Sequence, residues 1–148
     1  MVFRSCGVAK DGIMNLFIVE DSEIVREHMQ SMLSEIPGIK VIGYAVDELG
    51  AIEHINALLP DVVTLDLCLQ PGSGISVLEH VKKYHPEIKV IVLTNYDDEF
   101  YVDRCMQAGA DLFFDKTFQL SRVYSALWLW NNGDYSNDNI VLQQPWKY

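Results

Sequence analysis

The sequence predicts an α/β fold, a parallel five-stranded sheet covered by helices. Five short apolar runs recur along the chain, and the stretches between them switch to helical periodicity. The runs are nearly continuous in apolar residues rather than alternating, as expected of strands buried on both faces. The crossovers that join such strands are right-handed, so the helices cover both sides of the sheet. The 148 residues are 49% apolar, which suits a single domain with a full core.

The first strand is "NLFIV" (15–19). A helix follows over 22–36, where Val25, Met29, Met32, Leu33 and Ile36 share one face, and Pro37-Gly38 ends it. The second strand is "KVIGYAV" (40–46), and the second helix spans 47–59. That helix carries Leu49, Ile52, Ile55, Ala57, Leu58 and Leu59 as its apolar set and stops at Pro60. The third strand, "DVVTLDL" (61–67), runs into a Pro-Gly loop and a helix over 74–86 with Ile75, Leu78 and Val81 inward. The fourth strand is "KVIVLTN" (89–95). Its helix, 97–110, starts on acids that complement a helix N-terminus and closes on Gly109. The fifth strand is "DLFFDK" (111–116). In the last helix, Leu120, Val123, Leu127 and Trp130 form the core stripe, Tyr124 and Trp128 widen it, and Leu129 falls on the far side. Residues 1–13 form an N-terminal extension, 14–131 the domain and 132–148 a C-terminal tail, mobile or docked by Val141, Leu142 and Trp146.

Charge and cysteine usage narrow the function. The formal net charge is −10, from 21 acids against 11 Lys and Arg, and no basic run occurs. Direct nucleic-acid binding and anionic-membrane binding both need clustered basic residues, so neither is expected. Cys6, Cys68 and Cys105 are odd in number, without a CxxC pair, which fits a reducing cytoplasm better than a disulfide framework. No secretory signal or membrane-length apolar stretch is present, so the expected location is cytoplasmic. His28, His54, His80 and His85 lie in helices or at a helix end, where packing or solvation explains them better than metal ligation.

The chemistry concentrates at the strand ends. Ligands of an open parallel sheet bind beyond the carboxyl ends of the strands. Those ends carry Glu20-Asp21, Asp66, Thr94-Asn95 and Asp115-Lys116. An acid such as Asp66 inside an apolar run is costly unless it is paired or metal-bound. Converging carboxylates repel unless a cation sits among them, and all-oxygen donors in an open crevice suit Mg²⁺. A carboxylate beside a divalent metal, faced by a lysine and a hydroxyl, can act as a nucleophile in phosphoryl transfer.

"IVEDS", "DVVTLDLCLQPGSG", "VIVLTN" and "FFDKT", in this order on successive strand ends, resemble the receiver domain of two-component response regulators, over about residues 14–131. The resemblance implies a doubly wound, flavodoxin-like (βα)5 sheet of order 2-1-3-4-5. It implies that Asp66 is the phosphoacceptor, with Lys116 and Thr94 contacting the phosphoryl group. It implies a Mg²⁺ site of Asp21, Asp66, the backbone carbonyl of Cys68 and, through water, Glu20. Thr94 and Phe113 would be the switch residues, and Cys68, Asn95 and Tyr96 would tune the phosphoryl lifetime. Two positions depart from the family pattern: Thr117 replaces the proline after the lysine, and Asn95 replaces a small residue after the threonine.

The implied partners are a sensor histidine kinase or a phosphotransfer protein as donor. An output protein would bind the face made by the fourth helix, fifth strand and fifth helix, which could also form a homodimer. No helix-turn-helix or catalytic output segment follows in this sequence, whether the chain is whole or a receiver piece of a longer regulator. The domain is expected to catalyse only its own phosphorylation and dephosphorylation. The alternatives are a phosphorylation-independent interaction module and an aspartate-based phosphohydrolase. The second usually carries another acid two residues after the nucleophile, where Cys68 stands.

Overall fold

A computed structural model of the chain describes residues 12–95, 99–116 and 120–136. Strands and helices alternate: β1 (Met14–Val19), α1 (Glu23–Ser34), β2 (Ile39–Ala45), α2 (Glu48–Leu58), β3 (Val62–Leu65), α3 (Gly74–Tyr84), β4 (Lys89–Thr94), α4 (Glu99–Gln107), β5 (Leu112–Asp115) and α5 (Leu120–Asn131). All pairings are parallel and the order is β2-β1-β3-β4-β5. The chain winds one way from β1 to β2 and the other way from β3 on. The crevice therefore opens at the carboxyl ends of β1 and β3.

Side-chain alternation along the strands builds two cores. Phe17, Val19, Val63, Leu65, Val90, Val92 and Phe113 pack beneath α2, α3 and α4. Leu16, Ile18, Val62, Ile91, Leu93 and Phe114 pack beneath α1 and α5, against Met29, Leu33, Leu127 and Trp130. Each large side chain so buried contributes roughly 1.5–3 kcal/mol.

The structure differs from the sequence expectation in four elements. β2, at one edge of the sheet, is only partly covered, and Tyr44 in it is exposed. In α2 only Ala51 and Ile55 are buried, while Leu49, Leu58 and Leu59 are exposed. A helix that covers an edge needs a narrower apolar stripe than the residue count suggested. In α5, Trp128 is exposed, whereas Leu129, expected outward, packs partly against the core with Tyr124. β3 also ends at Leu65, so Asp66 follows the strand rather than sitting within it.

The far end of the sheet is tied by acids. Asp61 Oδ2 accepts from the Asn15 amide at 2.7 Å, and Asp111 Oδ2 accepts from the Val90 amide and from Lys82 Nζ, each at 2.8 Å. After α5 the chain turns back, and Tyr135 packs against the core with the Lys89 ammonium over both its ring and that of Trp130. Val141, Leu142 and Trp146, named above for docking the tail, lie outside the described residues. Among the described residues no helix is long and apolar enough to cross a membrane.

Candidate functional site

Backbone bonds between strand ends bring the acids together. The Asp66 amide donates to Val19 O at 3.0 Å and the Glu20 amide to Ala45 O at 3.0 Å, so each acid starts where its strand's ladder finishes. The Lys116 amide donates to Thr94 O at 2.9 Å, which returns the chain after β5 toward the same crevice. Ser22 caps α1, its hydroxyl accepting from the Val25 amide at 3.4 Å, so neither Glu20 nor Asp21 is needed as the cap. Both acids are left for the crevice.

There, Lys116 Nζ donates to Asp66 Oδ2 at 3.0 Å and forms a second ion pair with Glu20 Oε1. The Cys68 amide donates to Asp66 Oδ1 at 3.1 Å. Glu20 Oε2 accepts from the Ser22 amide at 3.3 Å, and Arg26 donates to the Glu20 carbonyl at 3.2 Å. Glu20 and Asp66 are buried and Asp21 is exposed, yet the three carboxylates present oxygens within 4.8 Å of one another.

One ammonium among three carboxylates leaves the cluster short of positive charge. Burial pushes the Glu20 carboxyl up to about 7, against the lowering effect of Lys116, and the Asp66 charge adds to the rise. Burial alone would lower Lys116, but bonding to Glu20 and the charge of Asp66 more than reverse it, so its ammonium is held charged. Glu20 Oε1 is buried and has no hydrogen-bond partner besides its ion pair with Lys116. Hard oxygen donors, an excess of negative charge and one solvent-facing carboxylate fit a small divalent cation such as Mg²⁺.

The structure thus brings Glu20, Asp21, Asp66 and Lys116 to one place, with Thr94 buried at the adjoining end of β4. Phe113 is buried under α4, and Asn95 and Cys68 are exposed at the rim. Tyr96 and Thr117 lie outside the described residues. Gly74 opens α3, as the helical pattern over 74–86 predicts, but that pattern does not reveal that a Cβ there would lie 2.1 Å from the Asp66 carbonyl oxygen. The direct Glu20–Lys116 pair was also missed, since it depends on a register between distant strands.

The chain's relatives agree with this geometry. The model of the response regulator receiver domain matches residues 16–127. Response regulator protein VraR of Staphylococcus saprophyticus is 32% identical over 127 residues, covering 86% of this chain and 59% of that protein. The chain therefore spans about six tenths of the length of that relative. The signal receiver domain of the putative response regulator NarL from Mycobacterium tuberculosis superposes with a TM-score of 0.74 at 27% identity, over 82% of this chain and 98% of that one. A chain in the crystal structure of the CheX-CheY-BeF3-Mg²⁺ complex from Borrelia burgdorferi gives 0.73 at 26% identity, over 80% and 91%. Sheet order, crevice chemistry and family match coincide over most of the sequence, and the chain belongs to the receiver domains of two-component response regulators.

Proposed function

We propose that this receiver is a phosphorylation-controlled switch whose phosphoacceptor is Asp66. The observation that carries the reading is the Lys116 ammonium bonded to a buried Asp66 within an otherwise acidic crevice. An Asp66 carboxylate oxygen attacks the phosphorus of a phosphohistidine on a sensor kinase or phosphotransfer protein. The O–P bond forms, the P–N bond breaks, and the electron pair leaves on the imidazole nitrogen. Asp21, Asp66 and the Cys68 carbonyl, with Glu20 through water, would hold a Mg²⁺ ion, whose charge would offset that on the phosphoryl oxygens.

Lys116 orients Asp66 before transfer and pairs with a phosphoryl oxygen after it. The Thr94 hydroxyl donates to another phosphoryl oxygen. Its movement releases Phe113 to a different rotamer, which shifts an existing equilibrium of the α4–β5–α5 face. The output protein, or a second copy of the chain, reads that face. Cys68 and Asn95 at the rim, together with Tyr96, set how fast water removes the phosphoryl group, so the only catalysis is on the domain itself.

Amide NMR with beryllofluoride and Mg²⁺ tests the reading. Saturable shifts at Cys68, Thr94 and Phe113, abolished by Asp66→Asn, are expected. An unresponsive wild-type protein would sink the phosphoryl switch and favour a phosphorylation-independent interaction module.

A further inference from the structure

We propose that Glu48, at the start of α2 and outside the acidic crevice, is a positioning residue for the phosphoacceptor loop. Its carboxylate holds Ser73, and Ser73 in turn sets the backbone of Cys68 against Asp66. The inference rests on the Mg²⁺-dependent reading above and extends it to a side chain that touches neither metal nor phosphate.

The links are hydrogen bonds and one backbone bridge. Glu48 Oε1 accepts from the Ser73 amide at 2.9 Å, and the Glu48 amide donates to the Pro71 carbonyl at 3.4 Å. Ser73 pairs with Cys68 in an isolated antiparallel bridge that closes the loop on itself. The Cys68 amide then donates to Asp66 Oδ1. The same peptide strand carries the Cys68 carbonyl assigned to the metal. A shift of Ser73 thus moves a donor to the nucleophile and a metal ligand together.

Gly72 makes the contact possible. Its φ is +107°, and a Cβ there would lie 2.4 Å from the Glu48 Cβ, so the loop lies directly on the helix start. On the opposite side, a cavity of about 250 Å³ lies between loop residues, Cys68, Gln70 and Ser73 among them, and Tyr101 of α4. The loop is therefore braced more closely by α2 than by α4. Glu48 is also an acid in a first helical turn, where charge alone favours the helix dipole. That bland role needs the charge, whereas the positioning role needs only an acceptor oxygen.

This difference defines the test. Mg²⁺ is titrated against the whole chain, followed by the Cys68 amide shift, for wild type, Glu48→Met, Glu48→Gln and the exposed control Leu49→Ala, with thermal unfolding in parallel. Glu48→Met keeps the length and helix propensity but loses the acceptor, and should weaken Mg²⁺ binding about tenfold. Glu48→Gln keeps an acceptor oxygen without charge and should stay within about twofold of wild type, as should Leu49→Ala. Wild-type affinity in Glu48→Met, or a loss in Glu48→Gln equal to that in Glu48→Met, overturns the assignment. If Glu48→Met does not fold, Gly72→Ala, which pushes the loop off Glu48, should show the same loss, and an unchanged affinity there overturns it. A wild-type protein with no saturable Mg²⁺ response overturns the metal reading itself and this inference with it.

Discussion

Glu20 is the residue whose protonation the crevice perturbs most. Its carboxyl is pushed up to about 7 in the folded chain from an ordinary 4.5, first by burial. The folded state therefore holds this proton more tightly than the unfolded chain does. The associated stability is fully present below about pH 4.5 and is lost as pH rises through about 7, a change of roughly 3 kcal/mol. Metal-free protein in a chelator should accordingly lose stability across that window, and Glu20→Gln should flatten the profile. Denaturant midpoints at several pH values read this directly, and parallel profiles for the two proteins would refute it. Lys116 is the counterpart. Replacing it with Met leaves two buried carboxylates without their ammonium, at a cost of about 3–5 kcal/mol in metal-free protein. Added Mg²⁺ should recover part of that loss, as thermal unfolding with and without the ion will report. Asp66 was legible in the sequence because an acid closing an apolar run needs a reason. The Glu20–Lys116 pair was not, because it depends on how β1 and β5 are set across the sheet.

At the scale of elements, α3 begins against the backbone that carries Asp66. Gly74 donates its amide to Leu67 O at 3.0 Å and sits where any Cβ would meet the Asp66 carbonyl and Leu67 Cα. The obstacle is backbone on both counts, so it cannot move aside as a side chain would. Gly74→Ala should cost about 1–3 kcal/mol or more and weaken Mg²⁺ binding, because α3 must retreat from the Asp66 peptide. Equilibrium unfolding and the Mg²⁺ titration check the two effects separately, and a stable, fully binding variant would show the approach is not required. Helical periodicity located α1, α3 and, in α5, the stripe of Val123, Leu127 and Trp130 well, since each buries one face, while the side chain of Leu120 lies outside the described residues. It overstated α2 because apolar residues at Leu49, Leu58 and Leu59 count equally in a pattern whether a neighbour covers them or not. The same limit applies to β2. Its composition resembles a central strand, and only the 2-1-3-4-5 order, which the motifs implied rather than the pattern, puts it at the edge.

Across the whole molecule, the two cores meet the crevice through the same strands, so occupation of the site and global stability are linked. Val19 and Leu65 lead directly into Glu20 and Asp66, and both are buried under α2 and α3. Like charge gathered at these strand ends is a cost that folding bears in the absence of a cation. A ligand that binds only the folded chain offsets it by RT ln(1 + [L]/Kd), about 2.7 kcal/mol at a hundredfold excess over Kd. Mg²⁺ should therefore raise the unfolding temperature in a concentration-dependent manner. Asp21 separates this linkage from packing. Its side chain is exposed, so Asp21→Asn should leave metal-free stability within about 0.5 kcal/mol of wild type. It should nevertheless remove most of the Mg²⁺-induced rise, because Asp21 is the carboxylate most open to an entering cation. Calorimetric scans of both proteins over a Mg²⁺ series decide the matter. An Asp21→Asn variant that keeps the full rise would place the ion elsewhere, and one that unfolds easily without Mg²⁺ would give Asp21 a structural duty that its exposure argues against.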